Sequence, residues 1–140
     1  MVKPVVKYSK KDETFIRKYV YSDEAGVAAI TGRTVEEQHK IACACENNLY
    51  IFTNGNNEII GSVVLREKDD TLDVVELFIK KELRRSENGS KFLDEIEKMA
   101  ADEGFARITI PEGDNWHTHT FCYRRGYTKS AVQGEMEKIL

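Results

Sequence analysis

The sequence predicts a mixed α/β (α+β) fold, in which about four helices flank a mostly antiparallel central sheet of six to seven strands. Residues 49–79 contain three strand-like segments joined by "TNGNN" and "EKDDT", turns rich in Asn, Gly and Asp that indicate an antiparallel meander. A helical repeat of apolar residues follows over residues 91–104, and "ARITIP" at 106–111 is a short alternating strand. A helix that crosses between two strands favours parallel pairing, so we expect the third meander strand and residues 106–111 to be parallel.

The N-terminal segments predict a strand and two helices before the meander. Residues 5–9 are β-branched and alternate weakly, as in a first strand. A first helix would then carry one apolar face formed by Phe15, Ile16, Tyr19 and Val20. Residues 22–34 form a less regular connection, after which the capping-box pair Thr34 and Glu37 begins a second helix.

The C-terminal part predicts one more helix and the last strands. Residues 115–126 form a short helix that ends at Gly126, and the tail holds one or two strands with a turn or bulge at Gly134. The predicted order of elements is therefore β-α-α-β-β-β-α-β-α-β. Because the sequence shows no repeat, linker or low-complexity segment, we expect a single domain over residues 1–140.

Composition and charge exclude several classes of partner. The chain has 140 residues, of which 41% are hydrophobic and 32% charged, which is typical of a globular protein with a buried core. Its 21 basic and 24 acidic residues are interleaved, so no basic face indicates a nucleic acid. No apolar run reaches membrane-spanning length, and the first residues lack the apolar core of a signal peptide. With three cysteines and no sign of secretion, we expect a cytoplasmic protein.

The paired Cys and His residues do not predict a metal site. Cys43 and Cys45 are two positions apart, as are His117 and His119. On a helix that spacing is about 200° of rotation, so neither pair can chelate a metal ion from one face. No C-x-x-C spacing occurs, and we therefore expect no metal cofactor.

The segment "RRSENGS" at residues 84–90 leaves two alternatives open. It lies between a strand-like and a helix-like stretch, where the first backbone N–H groups of a helix have no internal partner and attract anions. Arg84 and Arg85 add positive charge, and Gly89 allows close approach of the backbone. The segment also fits a solvated turn in which Ser86 caps the helix, so by itself it does not distinguish a phosphate cradle from a cap.

Two motifs together resemble those of the GNAT N-acyltransferase superfamily. "VVELFIKKELRRSENGSKFLDEIEKMA" resembles a strand, the pattern Q/R-x-x-G-x-G/A and a helix, with Arg84 in the Q/R place, Gly89 in the place of the second glycine and Ser90 directly after it. "NWHTHTFCYRRGY" is similar to a later helix of that family, with Asn115 near its start and Gly126 before the final tyrosine. The order of elements agrees from residue 5 onward, and the motif set spans roughly residues 73–127.

The resemblance implies acetyl-CoA as co-substrate and assigns residues to its binding. The pantetheine arm would bind the backbone at the end of the third meander strand, and the pyrophosphate would bind the turn and the helix start. The cofactor-binding residues that it implies are Leu77, Phe78, Ile79, Arg84, Arg85, Ser86, Glu87, Asn88, Gly89, Ser90 and Asn115.

Four residues are candidates for catalysis if the resemblance holds. A neutral amine would attack the thioester carbonyl, and Asp73 or Glu76 could remove the proton of the arriving ammonium. Their spacing of three puts them on opposite sides of a regular strand, so only one faces the acceptor unless a bulge intervenes. Cys122 stands at the place of the family's Tyr, and Tyr123 follows it. Either could be the acid for the leaving thiolate, and both also fit as packing residues.

The resemblance thus implies an N-acetyltransferase whose amine acceptor, a small molecule or a protein, the sequence does not identify. The alternative is a catalytically degenerate member that binds acyl-CoA or acts through protein contacts. Asp23 and Glu24 lie in the connection expected to flank the acceptor cleft and could attract a cationic amine, although a solvated loop also explains them. Exposed strand ends near the C-terminus would allow a homodimer.

The sequence yields a first testable prediction at Glu87, which occupies the place of the family's first glycine. A carboxylate near the pyrophosphate repels it, so we expect Glu87→Gly to raise the affinity for acetyl-CoA. Isothermal titration calorimetry on both proteins measures the change, and unchanged or weaker binding would refute the prediction.

Overall fold

The structure is a computed structural model that describes residues 13–83, 88–112 and 122–140. In this part of the chain, seven strands form one sheet in the order β1-β2-β3-β4-β5-β7-β6. The strands are β1 (Phe15–Lys18), β2 (Asn48–Thr53), β3 (Ile59–Lys68), β4 (Thr71–Ile79), β5 (Arg107–Pro111), β6 (Thr128–Lys129) and β7 (Glu135–Ile139). The helices are α1 (Glu24–Thr31), α2 (Val35–Cys43) and α3 (Asn88–Asp102), and residues 122–124 add one helical turn. The predicted mixed fold is confirmed.

The first helix that the sequence predicts is a strand in the structure. Phe15–Lys18 forms β1, which pairs antiparallel with β2. A run of six residues satisfies a helical and an extended pattern almost equally, and the free edge of β2 supplies the hydrogen-bond partners that settle the choice. The predicted strand at residues 5–9 lies outside the described residues.

The connection after β1 is more regular than predicted. Tyr21–Asp23 forms a 3-10 turn and leads directly into α1, whose Val27 and Ala28 are buried. The helix ends at Gly32, which adopts φ +72°, a conformation that costs glycine little. The capping box at the start of α2 is as predicted, since the Thr34 hydroxyl accepts from the backbone N–H of Glu37.

The meander and the crossover follow the sequence prediction. β2, β3 and β4 pair antiparallel in succession, and α3 carries the chain from β4 to β5, which pair parallel. The C-terminal tail forms β6 and β7, with Gly134 at φ +83° in the turn between them. In the described ranges, no helix is long and apolar enough to cross a membrane.

The sheet is covered on both faces. On one face, Phe92 of α3 stacks on Phe52 of β2 with ring centroids 4.0 Å apart, and α3 also buries Leu93, Ile96 and Ala100 completely. On the other face, Gly26 of α1 lies against Ile59 of β3. The two layers isolate the central strands from water, which makes burial of apolar surface the main stabilising contribution.

A close approach between α3 and β3 yields a prediction at Gly61. A Cβ at this position would lie 2.6 Å from the carbonyl oxygen of Phe78 and would overlap the Phe92 ring. We therefore expect Gly61→Ala to destabilise the fold by about 1–3 kcal/mol, because neither the backbone nor the stacked ring can move freely.

The matched control is Gly26→Ala, measured in the same urea denaturation series. A Cβ there would lie 2.7 Å from the terminal Cδ1 of Ile59, which can rotate away, and alanine favours the helix. We expect this variant to be close to the wild type in stability. Equal stability of Gly61→Ala and the wild type would contradict the packing described for α3.

Candidate functional site

The two parallel strands at the centre of the sheet separate soon after they meet. Their ladder consists of Thr71 with Arg107, Leu72 with Ile108 and Asp73 with Thr109. Beyond these pairs, β4 continues to Ile79 along β3, whereas β5 continues to Pro111 along β7. We call the opening between β4 and β5 the fork.

Asp73 lies at the base of the fork. The hydroxyl of Thr109 donates a hydrogen bond of 2.7 Å to Asp73 Oδ1, and Lys68 Nζ lies 3.5 Å from Oδ2. Both carboxylate oxygens therefore have partners, and the residue is only 9% exposed. This contact ties β4 to β5 at the last paired position.

A β-bulge at Val75 places the two candidate bases on the same face of the sheet. Along β3, Val64 pairs with Glu76 but the next residue, Leu65, pairs with Val74, so Val75 has no opposite residue in this ladder. Asp73 pairs with Arg66, which lies on the same face of β3 as Val64. The bulge thus cancels the alternation that a spacing of three would otherwise impose.

Arg33 connects the helical layer to Glu76. Its guanidinium donates to Glu76 Oε2 and, through Nη1, to Gln38 Oε1 at 3.2 Å. The second carboxylate oxygen, Glu76 Oε1, is buried and has no hydrogen-bond partner among the described residues. Arg33 was not predicted, because in the sequence it is a single basic residue in an irregular connection, next to the cap at Thr34.

Tyr19 lies beside this group at the end of β1. Its hydroxyl is buried near Gln38 but makes no well-formed hydrogen bond within the described residues. Burial raises the pKa of Tyr19, and the neighbouring Gln38 opposes that shift. Tyr19 is therefore a neutral hydroxyl at neutral pH, and it has hydrogen-bonding capacity left for a ligand.

Asp23 is not available to attract a cationic acceptor. It is 4% exposed and accepts two hydrogen bonds of 2.8 Å from the Arg17 guanidinium, and Oδ2 also accepts from the backbone N–H of Val20. The hydrogen bonds from Arg17 are the main reason that the pKa of Asp23 lies below its usual value. The solvated-loop alternative is also wrong, since Asp23 and Glu24 are both buried.

The two candidate acids lie in different environments. Cys122 is 1% exposed within the hydrophobic core, and burial raises the pKa of its thiol to about 11. Tyr123 is 67% exposed. Burial favours a packing role for Cys122, because a thiol with a pKa of about 11 is a poor acid toward a leaving thiolate of ordinary pKa. Their catalytic assignment stays a prediction.

The implied cofactor segment is partly described. Leu77, Phe78 and Ile79 form the end of β4, opposite Val63, Ser62 and Gly61 of β3. Asn88, Gly89 and Ser90 form the first turn of α3. The residues Arg84, Arg85, Ser86, Glu87 and Asn115 lie outside the described residues, as do His117 and His119. In the described ranges, no group of three His, Cys, Asp or Glu side chains could hold a metal ion.

The chain is similar to one known protein family and to many solved structures. The model of the acetyltransferase (GNAT) family matches residues 14–127. Comparison with curated protein sequences gives no match. Many solved structures have a similar fold.

The PaiA N-acetyltransferase from Thermoplasma acidophilum, in complex with coenzyme A, is 16% identical with a TM-score of 0.72, covering 91% of this chain and 99% of the other. For the ribosomal-protein-S18-alanine N-acetyltransferase from Escherichia coli, the identity is 11%, the TM-score 0.71 and the coverage 90% of both chains. A GNAT family acetyltransferase from Elizabethkingia anophelis with acetyl-CoA bound is 16% identical with a TM-score of 0.70, covering 93% of this chain and 100% of the other. At these identities the likeness concerns the fold.

The ion pair between half-buried Arg17 and buried Asp23 yields a prediction about pH. We expect Asp23→Asn to lose about 1–3 kcal/mol of unfolding free energy at neutral pH, because it removes the charge that Arg17 contacts. The folded-state pKa of Asp23 is lowered, so its contribution is complete above the unfolded pKa of about 3.9 and is lost as pH falls through the lowered value. The difference between variant and wild type should therefore shrink below about pH 4.

Asp70→Asn is the matched control for this series of urea denaturation curves. The Asp70 side chain is 61% exposed and lies 3.9 Å from Arg107, so its charge is screened by water. We expect little effect of this substitution at any pH. If Asp23→Asn lowers the unfolding free energy only slightly, or equally at all pH values, the ion pair of Arg17 and Asp23 does not stabilise the fold as described.

Proposed function

The chain belongs to the acetyltransferase (GNAT) family, and from that premise we propose that it transfers an acetyl group from acetyl-CoA to an amine. Acetyl-CoA supplies an activated thioester. The observation that carries the proposal is the fork, which opens beside a face bearing two carboxylates and leads along β4 toward the start of α3. Similar folds that hold coenzyme A or acetyl-CoA support this choice of co-substrate.

The chain has groups suited to acetyl-CoA at the end of β4 and at the start of α3. The backbone of Leu77, Phe78 and Ile79 lies on the stretch of β4 that has left β5 and would bind the pantetheine arm. The first turn of α3 follows, and its N–H groups suit a pyrophosphate because the helix begins there. Gly89 in that turn adds no Cβ to obstruct the approach. We assign Arg84, Arg85, Ser86, Glu87 and Asn115 to the same site from the family pattern alone.

We assign the proton-accepting role to Glu76. An amine arrives largely protonated at neutral pH, and it must lose a proton before it can attack a carbonyl. Glu76 Oε1 is buried without a partner in the described residues, while Oε2 is held by Arg33. A carboxylate fixed at one oxygen and free at the other can bind an ammonium group and take its proton.

Asp73 has a different role in this proposal. Its oxygens already contact Thr109 and Lys68, so it is less able to receive a further donor. It keeps β4 and β5 together at the base of the fork and thereby fixes the position of the bulge that carries Glu76. Arg33 and Tyr19 then border the approach of the amine from the α1 and α2 side.

The substitutions Glu76→Gln and Asp73→Asn separate the two roles. We expect Glu76→Gln to lower kcat by about 10²–10⁴-fold with little change in acetyl-CoA binding, since it removes the base alone. Asp73→Asn should lower the thermal stability, and it should lower kcat less than Glu76→Gln does. The measurements are thermal unfolding with and without acetyl-CoA, and release of free thiol with a panel of small amines, polyamines and peptide N-termini.

The matched control is Glu67→Gln, an exposed carboxylate on the neighbouring strand β3, which should leave all these quantities unchanged. Acetyl-CoA at about 100 times Kd would stabilise the chain by about 2.7 kcal/mol. If millimolar acetyl-CoA does not raise the unfolding temperature, the assignment of acetyl-CoA as co-substrate is wrong. Binding without turnover on any amine would favour the catalytically degenerate alternative. A loss of activity in Asp73→Asn but not in Glu76→Gln would show that Asp73, and not Glu76, is the base.

A further inference from the structure

A second group of reactive side chains lies on the α1 and α2 layer. Cys43 is the last residue of α2, and His39 lies one turn earlier on the same helix. The Cys43 Sγ atom is 3.3 Å from His39 Nε2, and His39 Nδ1 is 3.0 Å from Oε2 of Glu24, the first residue of α1. A thiol, an imidazole and a carboxylate are therefore joined in one hydrogen-bonded line.

The order of these groups defines where the protons are. An ionised carboxylate can only accept, so Nδ1 of His39 carries the proton that Glu24 accepts. The lone pair of Nε2 then faces Cys43 Sγ and can accept its proton. Glu24 is 7% exposed, whereas Cys43 is exposed, so the orienting group is buried and the nucleophile is open to solvent. This is the arrangement of a nucleophile, a base and a group that orients the base.

Space for a small reactant adjoins the imidazole. A cavity of about 430 Å³ is lined by Tyr21, Glu24, Val35, Glu36, His39 and Lys40. Its charged groups are of both signs, and the buried hydroxyl of Tyr19 also lies near Cys43. Because no three metal-binding side chains in the described ranges are suitably placed, a nucleophilic thiol explains the group better than a metal site does.

A second exposed thiol indicates the type of reaction. Cys45 follows Cys43 by two residues, and Ala44 between them has an extended backbone with φ −66° and ψ 117°. Two residues apart, their Cα atoms are separated by at most about 7.6 Å, close to the range of a disulfide, and rotation of the backbone at Ala44 would bring the two Sγ atoms together. An exposed reactive thiol beside a resolving cysteine is typical of a redox-sensitive site.

We propose that Cys43 reacts with hydroperoxides, with His39 as its base, Glu24 as a positioning residue and Cys45 as the resolving thiol. The Cys43 thiolate attacks one peroxide oxygen, the O–O bond breaks, and the leaving oxygen takes the proton held by His39, which gives a sulfenic acid. Cys45 then attacks Cys43 Sγ, the S–O bond breaks, and water leaves. The two thiols give up two electrons, the peroxide is reduced, and a Cys43–Cys45 disulfide remains. This reaction needs no acetyl-CoA and is independent of the proposed acetyl transfer.

The first test compares the two exposed thiols at the end of α2. Cys45→Ser leaves Cys43 to react with iodoacetamide, Cys43→Ser leaves Cys45, and the double variant measures the background from buried Cys122. We expect Cys43 to react about tenfold faster than Cys45 at neutral pH, and its pH–rate profile to extend to lower pH, because His39 favours the thiolate. Equal rates and profiles for the two thiols would overturn the proposal.

Substitutions of the partners test the line of proton transfer. In the Cys45→Ser background, replacing the exposed His39 by Gln should lower the iodoacetamide rate of Cys43 to the rate that Cys45 shows in the Cys43→Ser variant. In the same background, Glu24→Gln should shift the pH–rate profile of Cys43. In the Cys43→Ser background neither substitution should alter the reaction of Cys45, which serves as the control for folding. An unchanged Cys43 rate in His39→Gln would contradict the assigned base.

The second test follows the product. After treatment with hydrogen peroxide, intact-mass and peptide analysis of the wild type should show the loss of two hydrogen atoms from a peptide containing Cys43 and Cys45, reversed by a thiol reductant. Cys45→Ser should instead accumulate a sulfenic acid at Cys43 that dimedone traps. A wild-type chain that forms sulfinic acid without any disulfide would refute the role of Cys45.

Discussion

The hydrogen bond between Thr109 and Asp73 marks the point at which the parallel pairing of β4 and β5 ends. Because α3 returns the chain to β5 at this position, the two strands share a short ladder and then diverge, each kept in the sheet by its outer neighbour. The bulge at Val75 comes two residues after that point and turns Glu76 onto the face of Asp73. The geometry of the candidate site therefore depends on where one pair of strands stops pairing.

Three carboxylates on the α1 and α2 side of the sheet each contact a nitrogen donor. Asp23 contacts Arg17, Glu24 contacts His39, and Glu76 contacts Arg33. In the described part of the chain, Glu76 Oε1 is the carboxylate oxygen that stays buried without a donor. A buried acceptor without a donor is costly unless something fills it, so a cationic ligand would complete the network as well as place its own nitrogen.

Sequence reasoning succeeded where local patterns and turn chemistry agree, as in the meander, the capping box at Thr34 and the parallel strand after α3. It failed at Phe15–Lys18, because a short amphipathic run does not reveal whether the folded chain places a free strand edge beside it. For the candidate site, the spacing of Asp73 and Glu76 was readable, but the bulge that unites them was not. Arg33 and Tyr19 had no distinguishing pattern, since their roles come from contacts distant along the chain.

The sequence by itself determined the family, the order of most elements and the strand that carries the two carboxylates, because these depend on periodicity, turn residues and motif spacing. The tertiary structure decided which charges are free. It neutralised Asp23 with Arg17, buried Cys122 in the core, and joined Cys43 to His39 and Glu24. The availability of a carboxylate, a thiol or an imidazole depends on burial and on partners, and those are properties of the packed chain rather than of any local segment.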